Sequence, residues 1–242
     1  MTNTSDHDGI RLTMLGGFEL TIDGTPAVLQ PAAQRLLAFV ALATRGVDRS
    51  FAALQLWPDK QEERAKANLR STLWRLGKIP AQLIDARKTR LHLDSDVWVD
   101  THDGIAELAT TQDSPFLDGC LPFQSLDSAL LPDWYDDWLV IERERFRQLH
   151  LGVLEDRARR ALSEGRCSQA IQLALAAASV DPLRESPHRI VIEAHLAESN
   201  DSEAVAHFDR YRQLLATDPC LCPSRDMTTL VAPLKRPALA AG

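Results

Sequence analysis

The sequence predicts a mostly α-helical protein in two parts: a small antiparallel sheet, three helices and a basic β-hairpin, then an all-α half built of paired helices. Three observations lead there. Residues 10–29 alternate apolar and polar positions around glycine turns, the period-2 pattern of half-buried strands. Residues 31–78 change to helical apolar spacing, punctuated by Gly46, Pro58 and Pro80. Farther on, "SEGRCSQAI" (163–171) aligns with "AESNDSEAV" (197–205) at an offset of 34 residues, the period of tetratricopeptide helix pairs.

Each element has its own signal. In "IRLTMLGGFELTIDGTPAVL" (10–29), turns at Gly16-Gly17 and at Asp23-Gly24, a dipeptide favoured in hairpins, separate two or three short strands. In "PAAQRLLAFVALATRG", Leu36, Leu37, Val40 and Ala41 share one helical face, with Pro31 near the start and Gly46 just past the end. "SFAALQLWP" reads as a short second helix with Ser50 as its expected N-cap and Pro58 as its stop. Asp59 stands three residues before Glu62, a capping-box spacing expected to open a third helix that Pro80 closes. "QLIDARKTRLHL" then reads as two strands joined by a basic turn, and "VWVD" (97–100) as a further short strand.

The 242 residues, 45% hydrophobic and 25% charged, fit a soluble globular protein with room for two small domains. The polar start "MTNTSDHDGIRL" lacks the apolar run of a signal peptide, and no stretch approaches the ~18 uninterrupted apolar residues of a membrane span, so a cytoplasmic location is expected. Cys120, Cys167, Cys220 and Cys222 fit neither a disulfide framework nor a zinc site, and Cys220 and Cys222 are read as free thiols. There is no nucleophile motif, no phosphate-cradling glycine loop and no metal spacing, His188, Glu193 and His195 included, so neither catalysis nor a cofactor is expected. Charge divides the chain. From Pro31 to His92, 12 Lys+Arg stand against 5 Asp+Glu, a local balance of +7 in a chain of net charge −7, which leaves −14 for the remainder. Binding to a polyanion depends on the local patch, so this one segment suits an anionic partner.

At its centre lies "EERAKANLRSTLWRLGK" (62–78). Projected at about 100° per residue, Ala65, Leu69, Leu73 and Leu76 form a narrow core stripe. The opposite half carries Arg64, Ala67, Ser71, Trp74, Arg75 and Lys78, with Asn68 and Arg70 on its flanks. Such a helix can enter a major groove: Arg pairs bidentately with guanine, Asn with adenine, and the small Ala67 and Ser71 let the backbone come close. The competing reading is a solvated helix, but only Glu62 and Lys66 form a compensating i,i+4 pair. Glu62 and Glu63 should hold the helix start off phosphate. Trp74 departs from what a groove-facing position usually needs and is expected to pack against the hairpin or the second helix. The hairpin that follows, with Arg87, Lys88 and Arg90, fits a wing laid on phosphates. The candidate contacts to double-stranded DNA are therefore Arg49, Arg64, Lys66, Asn68, Arg70, Ser71, Arg75, Lys78, Arg87, Lys88 and Arg90.

The second half has a core of its own. Leu154, Ala158, Leu162, Ala170, Ile171 and Ala174 serve one helix pair, and Ile190, Ala194, Ala204, Val205 and Phe208 the next. Two pairs are fewer than a freestanding solenoid needs, so a helix containing Trp134, Tyr135, Trp138, Leu139 and Phe146 is expected to complete this core.

"LGGFEL" (15–20), "QRLLAFVALATRGVDR" (34–49), "LWPD" (56–59) and "ERAKANLRSTLWRLGK" (63–78) together resemble the N-terminal domain of the Streptomyces antibiotic regulatory protein family, a winged helix-turn-helix of the response-regulator output type. "WLVIERERF", "VDPLRESPHR" and "AVAHFDRYRQLL" resemble the bacterial transcriptional activation domain that accompanies it. "ATDPCLCPSRDMTTLV" departs from the family, which runs on there with a glycine turn, a proline and another short helix. The resemblance implies a recognition helix over Arg64 to Lys78, a hairpin wing, and a helical half that holds RNA polymerase, with the sigma factor region as the expected contact. A homodimer on repeated half-sites is a further expectation. The organisation so read is a disordered tail at 1–9, the winged helix at 10–100, the activation domain at 101–231 and a tail at 232–242. With nine residues ahead of the first strand, no receiver domain is expected. The function implied is a sequence-specific transcriptional activator; a protein-binding adaptor and a ligand-responsive repressor are the alternatives.

Overall fold

The computed structural model describes residues 9–43, 45–102, 129–218 and 220–234. Cys120 and the tails expected at 1–9 and 232–242, apart from Gly9 and residues 232–234, lie outside the described residues. The described elements are β1 (Ile10–Thr13), β2 (Glu19–Ile22), β3 (Thr25–Pro26), α1 (Pro31–Leu42), β4 (Val47–Asp48), α2 (Arg49–Leu56), α3 (Glu62–Leu76), β5 (Ile84–Asp85), β6 (Arg90–Leu93) and β7 (Val97–Val99). They continue with α4 (Asp137–Ser163), α5 (Cys167–Val180), α6 (Glu185–Ala197), α7 (Asp201–Leu215) and α8 (Arg225–Val231). By compactness the chain divides into Met1–Phe146 and Arg147–Gly242.

In the first unit, β1 and β2 pair antiparallel with Leu12 opposite Leu20, and β2 turns into β3 through Asp23 and Gly24, both at positive φ (48° and 72°) as a primed hairpin turn demands. The strand at 97–99 does not extend the basic hairpin. As β7 it returns to pair parallel with β1, giving a four-stranded sheet in the order β3-β2-β1-β7. The Asp100 carboxylate fastens that return, accepting 2.8 Å bonds from the backbone N–H groups of Met14 and Leu15. Leu12, Leu20, Leu36, Leu37, Leu56, Leu91 and Val99, none more than 2% exposed, are part of one core beneath the sheet and three helices.

The same core takes in Leu130, Leu131, Trp138, Leu139 and Phe146. Leu130 bridges to Leu15, Trp138 meets the Phe39 ring edge-on at 5.0 Å, and Trp134 stacks on Phe18 at 5.7 Å. Arg143 clamps the turn between them by donating to the carbonyls of Leu130, Leu131 and Trp134. The expectation that these aromatic residues complete the core of the helix pairs is thus corrected. Their apolar area is used on the winged-helix unit, and the compact unit extends well past the boundary read at residue 100.

The second unit carries the repeat. α5 and α7 begin 34 residues apart, at Cys167 and Asp201, and the turns before them place Gly165 and Ser199, again 34 apart, at positive φ (75° and 60°). Ala170 and Ala204 are both fully buried at the same position of the repeat, where only a methyl fits between close helices. Ile190, Val191 and Ala194 of α6 join the cluster of Leu154, Ala158 and Ala174, and Ile192 joins that of Phe208, Tyr211 and Leu215. The closing role falls to α8, whose Met227 and Val231 complete the latter cluster. The departing C-terminal sequence therefore still makes a short helix. Ser224 caps it by accepting from Met227 N at 3.1 Å and is itself held by Glu185.

Three histidines are buried in this unit, His150, His188 and His207, and the last two are in contact. His188 Nε2–H donates to the Pro182 carbonyl at 2.9 Å, which leaves Nδ1 free to accept from His207 Nε2–H at 3.1 Å. His188 also stacks on Tyr211 at 4.2 Å. Burial, and then the neighbouring His188, Arg210 and His195, push the His207 imidazole down to about 4. A histidine whose folded value lies below the ordinary 6.5 contributes stability above pH 6.5, and that stability is lost as pH falls toward 4. We expect the Tm of the second unit to fall by roughly 5–10 °C between pH 6.5 and about pH 5. His207→Gln, which keeps a donor toward His188, should shrink that drop in differential scanning fluorimetry.

Candidate nucleic-acid interface

The outward face of α3 exists because its buried stripe is narrow. Ala65, Leu69, Thr72 and Leu76 are buried, the most exposed of them at 4%. Thr72 takes a place read for Leu73, which is half-buried instead. The Thr72 hydroxyl donates to the Asn68 carbonyl at 2.8 Å, so the residue enters the core without an unsatisfied polar group. The start of the helix also differs from expectation. Gln61 occupies the N-cap with no side-chain bond, two residues later than an Asp59 capping box requires. At α2 the cap is Asp48 rather than Ser50, its Oδ1 accepting from the N–H groups of Ser50 and Phe51 at 2.8 and 3.1 Å.

The candidate contacts on α3 separate into two groups. Lys66 is held by Glu62 at 2.5 Å, and that hydrogen bond raises its pKa. Arg75 donates to Gln30 Oε1 at 2.6 Å, and Lys78 lies over the Trp74 ring, 3.5 Å from its centre. Arg64, Asn68, Arg70 and Ser71, by contrast, have no side-chain hydrogen bond or ion pair among the described residues. Arg64, Arg70 and Ser71 are exposed and Asn68 is half-buried. This group clusters in the N-terminal and middle turns, where a groove-entering helix makes its base contacts. Trp74 corrects the sequence reading: expected to be packed away, it is 64% exposed, with Lys78 over its ring.

The basic hairpin is built as a wing. β5 and β6 pair with Ile84 opposite Leu93, and the far edge of β6 pairs with the two-residue β4, Val47 opposite Leu91. That three-stranded sheet requires a glycine at position 46. Gly46 has φ 71°, and a Cβ there would stand 2.3 Å from the His92 ring. The guanidinium of Arg90 donates to the Gly46 carbonyl at 2.8 Å and the Arg45 carbonyl at 3.3 Å, while Arg49 reaches the Lys88 carbonyl at 3.3 Å. Arg87 is paired with Asp85. Lys88, at the turn with φ 47°, is exposed, and its side chain has no partner among the described residues. Arg90 and Arg49 thus join the hairpin to the body, and Lys88 is the cation it displays. Arg45, exposed beside Gly46, adds a charge at the wing's base that the sequence reading leaves out, although it stands in the basic segment. Among the described residues no group of histidine, cysteine and carboxylate side chains could hold a metal, and no helix is long and apolar enough to cross a membrane.

The described residues thus form a sheet, three helices and a wing, followed by helix pairs. Residues 126–234 match the family model of the bacterial transcriptional activator domain. The match takes in just under half of the chain and identifies those residues as a bacterial transcriptional activator domain. Among solved structures it is similar to Mycobacterium tuberculosis EmbR in complex with a low-affinity phosphopeptide, at a TM-score of 0.60 and 21% identity. The match covers 93% of this chain and 64% of that one, so this chain spans less than two thirds of the length of EmbR. At that identity the likeness shows the fold alone. No curated protein matches the sequence significantly.

The two kinds of wing cation should behave differently. Lys88→Ala should weaken binding to all duplexes about equally and lower the salt slope by roughly 0.9 while leaving Tm unchanged. Arg90→Ala should lower Tm, because it frees two backbone carbonyls. Fluorescence anisotropy titrations at several salt concentrations, beside thermal melts, check both.

Proposed function

We propose that this chain is a regulator of the Streptomyces antibiotic regulatory protein type, a sequence-specific, DNA-binding transcriptional activator. α3 lies in the major groove of double-stranded DNA, with Arg64, Asn68, Arg70 and Ser71 turned to base edges. The wing lies on phosphates through Lys88, and the paired cations Lys66, Arg75, Lys78, Arg87, Arg90 and Arg49 surround the contact. One observation carries this reading: the polar donors of the outward face are left without protein partners, while most of the surrounding cations are tied. Donors held out on a rigid helix lose little conformational freedom when a base edge becomes their partner. The helical unit, in which acidic and basic residues balance instead of forming a basic patch, holds RNA polymerase through its sigma factor region, and two copies sit on repeated half-sites.

Arg64→Ala or Asn68→Ala should cost roughly 1–3 kcal/mol on the cognate site and relax preference at one base pair. Base preferences measured over all single-pair variants of the site, unchanged in both mutants, would count against this docking.

Activation is separable from DNA binding. A fragment of residues 1–146 keeps Leu130, Leu131, Trp138, Leu139 and Phe146, which complete the core of the first unit, and should fold and bind duplex. One ending at residue 100 lacks them and should be markedly less stable. The 1–146 fragment should fail to activate transcription in a purified system. Activation by it equal to that of the intact chain would refute the role given to the helical unit.

A further inference from the structure

Trp74 stands where nothing in the fold accounts for it. It occupies the stripe of α3 that runs through Arg64, Ala67 and Ser71, residues stacked above one another at helical spacing, with Lys78 just past the helix end. Its ring is 64% exposed, whereas tryptophan is among the side chains most buried on average. The protein contact it makes is on this same face: the Lys78 ammonium, 3.5 Å from the ring centre, covers it with a cation. The two small residues before it, Ala67 and Ser71, leave the indole as the bulkiest projection of that stripe. Arg75 beside it is tied to Gln30 and does not compete for the same space.

An apolar ring on a helix that enters a major groove has one apolar partner in the base code. Guanine, cytosine and adenine present hydrogen-bonding atoms there, and thymine alone adds a methyl group. We infer that Trp74 is a specificity-determining residue that reads a thymine 5-methyl group, with Lys78 holding the indole in place and directing its charge to the neighbouring phosphate. The inference rests on the proposed docking of α3 and deepens it. It adds an apolar discrimination at a position beyond the polar contacts of Arg64 and Asn68.

The test is binding of the intact protein to its selected duplex in which each thymine in turn is replaced by uracil, which differs by that methyl alone. At one position the substitution should weaken binding roughly 3- to 5-fold, the effect of burying one methyl group. At that position Trp74→Ala should bind thymine and uracil duplexes equally, while its Tm stays that of the intact protein. If Trp74→Ala binds too weakly to measure, Trp74→Leu, which keeps apolar contact, should retain part of the preference. Lys78→Gln, which removes the cation held over the ring, should weaken all sequences alike and reduce the thymine preference without abolishing it. Binding by the intact protein that is selective yet indifferent to every uracil substitution would overturn the inference, as would a thymine preference that survives in Trp74→Ala. Failure of the intact protein to select any duplex would instead sink the docking itself, so the two failures are distinguishable.

Discussion

The width of the buried stripe on α3 is the constraint on which the candidate interface depends. Ala65, Leu69, Thr72 and Leu76, with half-buried Leu73 at their edge, anchor fifteen residues of helix to the core with little more than a quarter of its circumference. A broader apolar face would sink Asn68 and Ser71 into the protein. A narrower one would leave the helix without enough burial to hold its position, since most helical stability comes from tertiary packing. Thr72 marks the limit of what this compromise allows. Its side chain is hydroxylated and buried, and it is tolerated because the carbonyl one turn back accepts its proton.

The wing is positioned by comparable economy. β4 is two residues long, yet it gives β6 a second edge and brings Asp48 to the start of α2 as its cap. Gly46 admits the His92 ring, and Arg90 reaches back to the carbonyls around it. The hairpin, the α1–β4 turn and α2 are thereby one construction, and α3 follows α2 after five residues. A cation that serves this construction, such as Arg90, and a cation displayed by it, such as Lys88, look alike in sequence. They separate only when partners are known.

Much of the fold was legible because its signals are local. The Asp23-Gly24 hairpin, the Pro31 start of α1, the alternating strands of the wing and the 34-residue repeat each follow from the chemistry of a few neighbouring residues. What escaped is long-range or very short. The parallel return of β7 to β1 spans nearly the whole winged helix, and β4 is too brief to show periodicity. The aromatic cluster of Trp134, Trp138 and Phe146 is amphipathic enough to serve either unit, and apolar patterning alone does not name its partner. The caps failed for another reason: Ser50 and Asp59 are good capping residues by type, but Asp48 and Gln61 hold the required extended backbone. Trp74 was misread because a large aromatic is most often core. For the candidate interface, the helix, its outward face and the basic hairpin were legible in sequence, while the division into tied and free side chains needed the structure.

Fold by itself does not assign function, and the assignment here rests on the chemistry of one face. That face has free donors, an aromatic ring among them, and a displayed cation on the adjoining wing, all in the basic segment of an otherwise acidic chain. Selection of bound duplexes from a random-sequence pool by the intact, folded protein at low salt tests this most directly. The account predicts enrichment of a defined motif whose binding weakens steeply as salt is raised. Recovery of no motif, with the protein folded throughout, would contradict it.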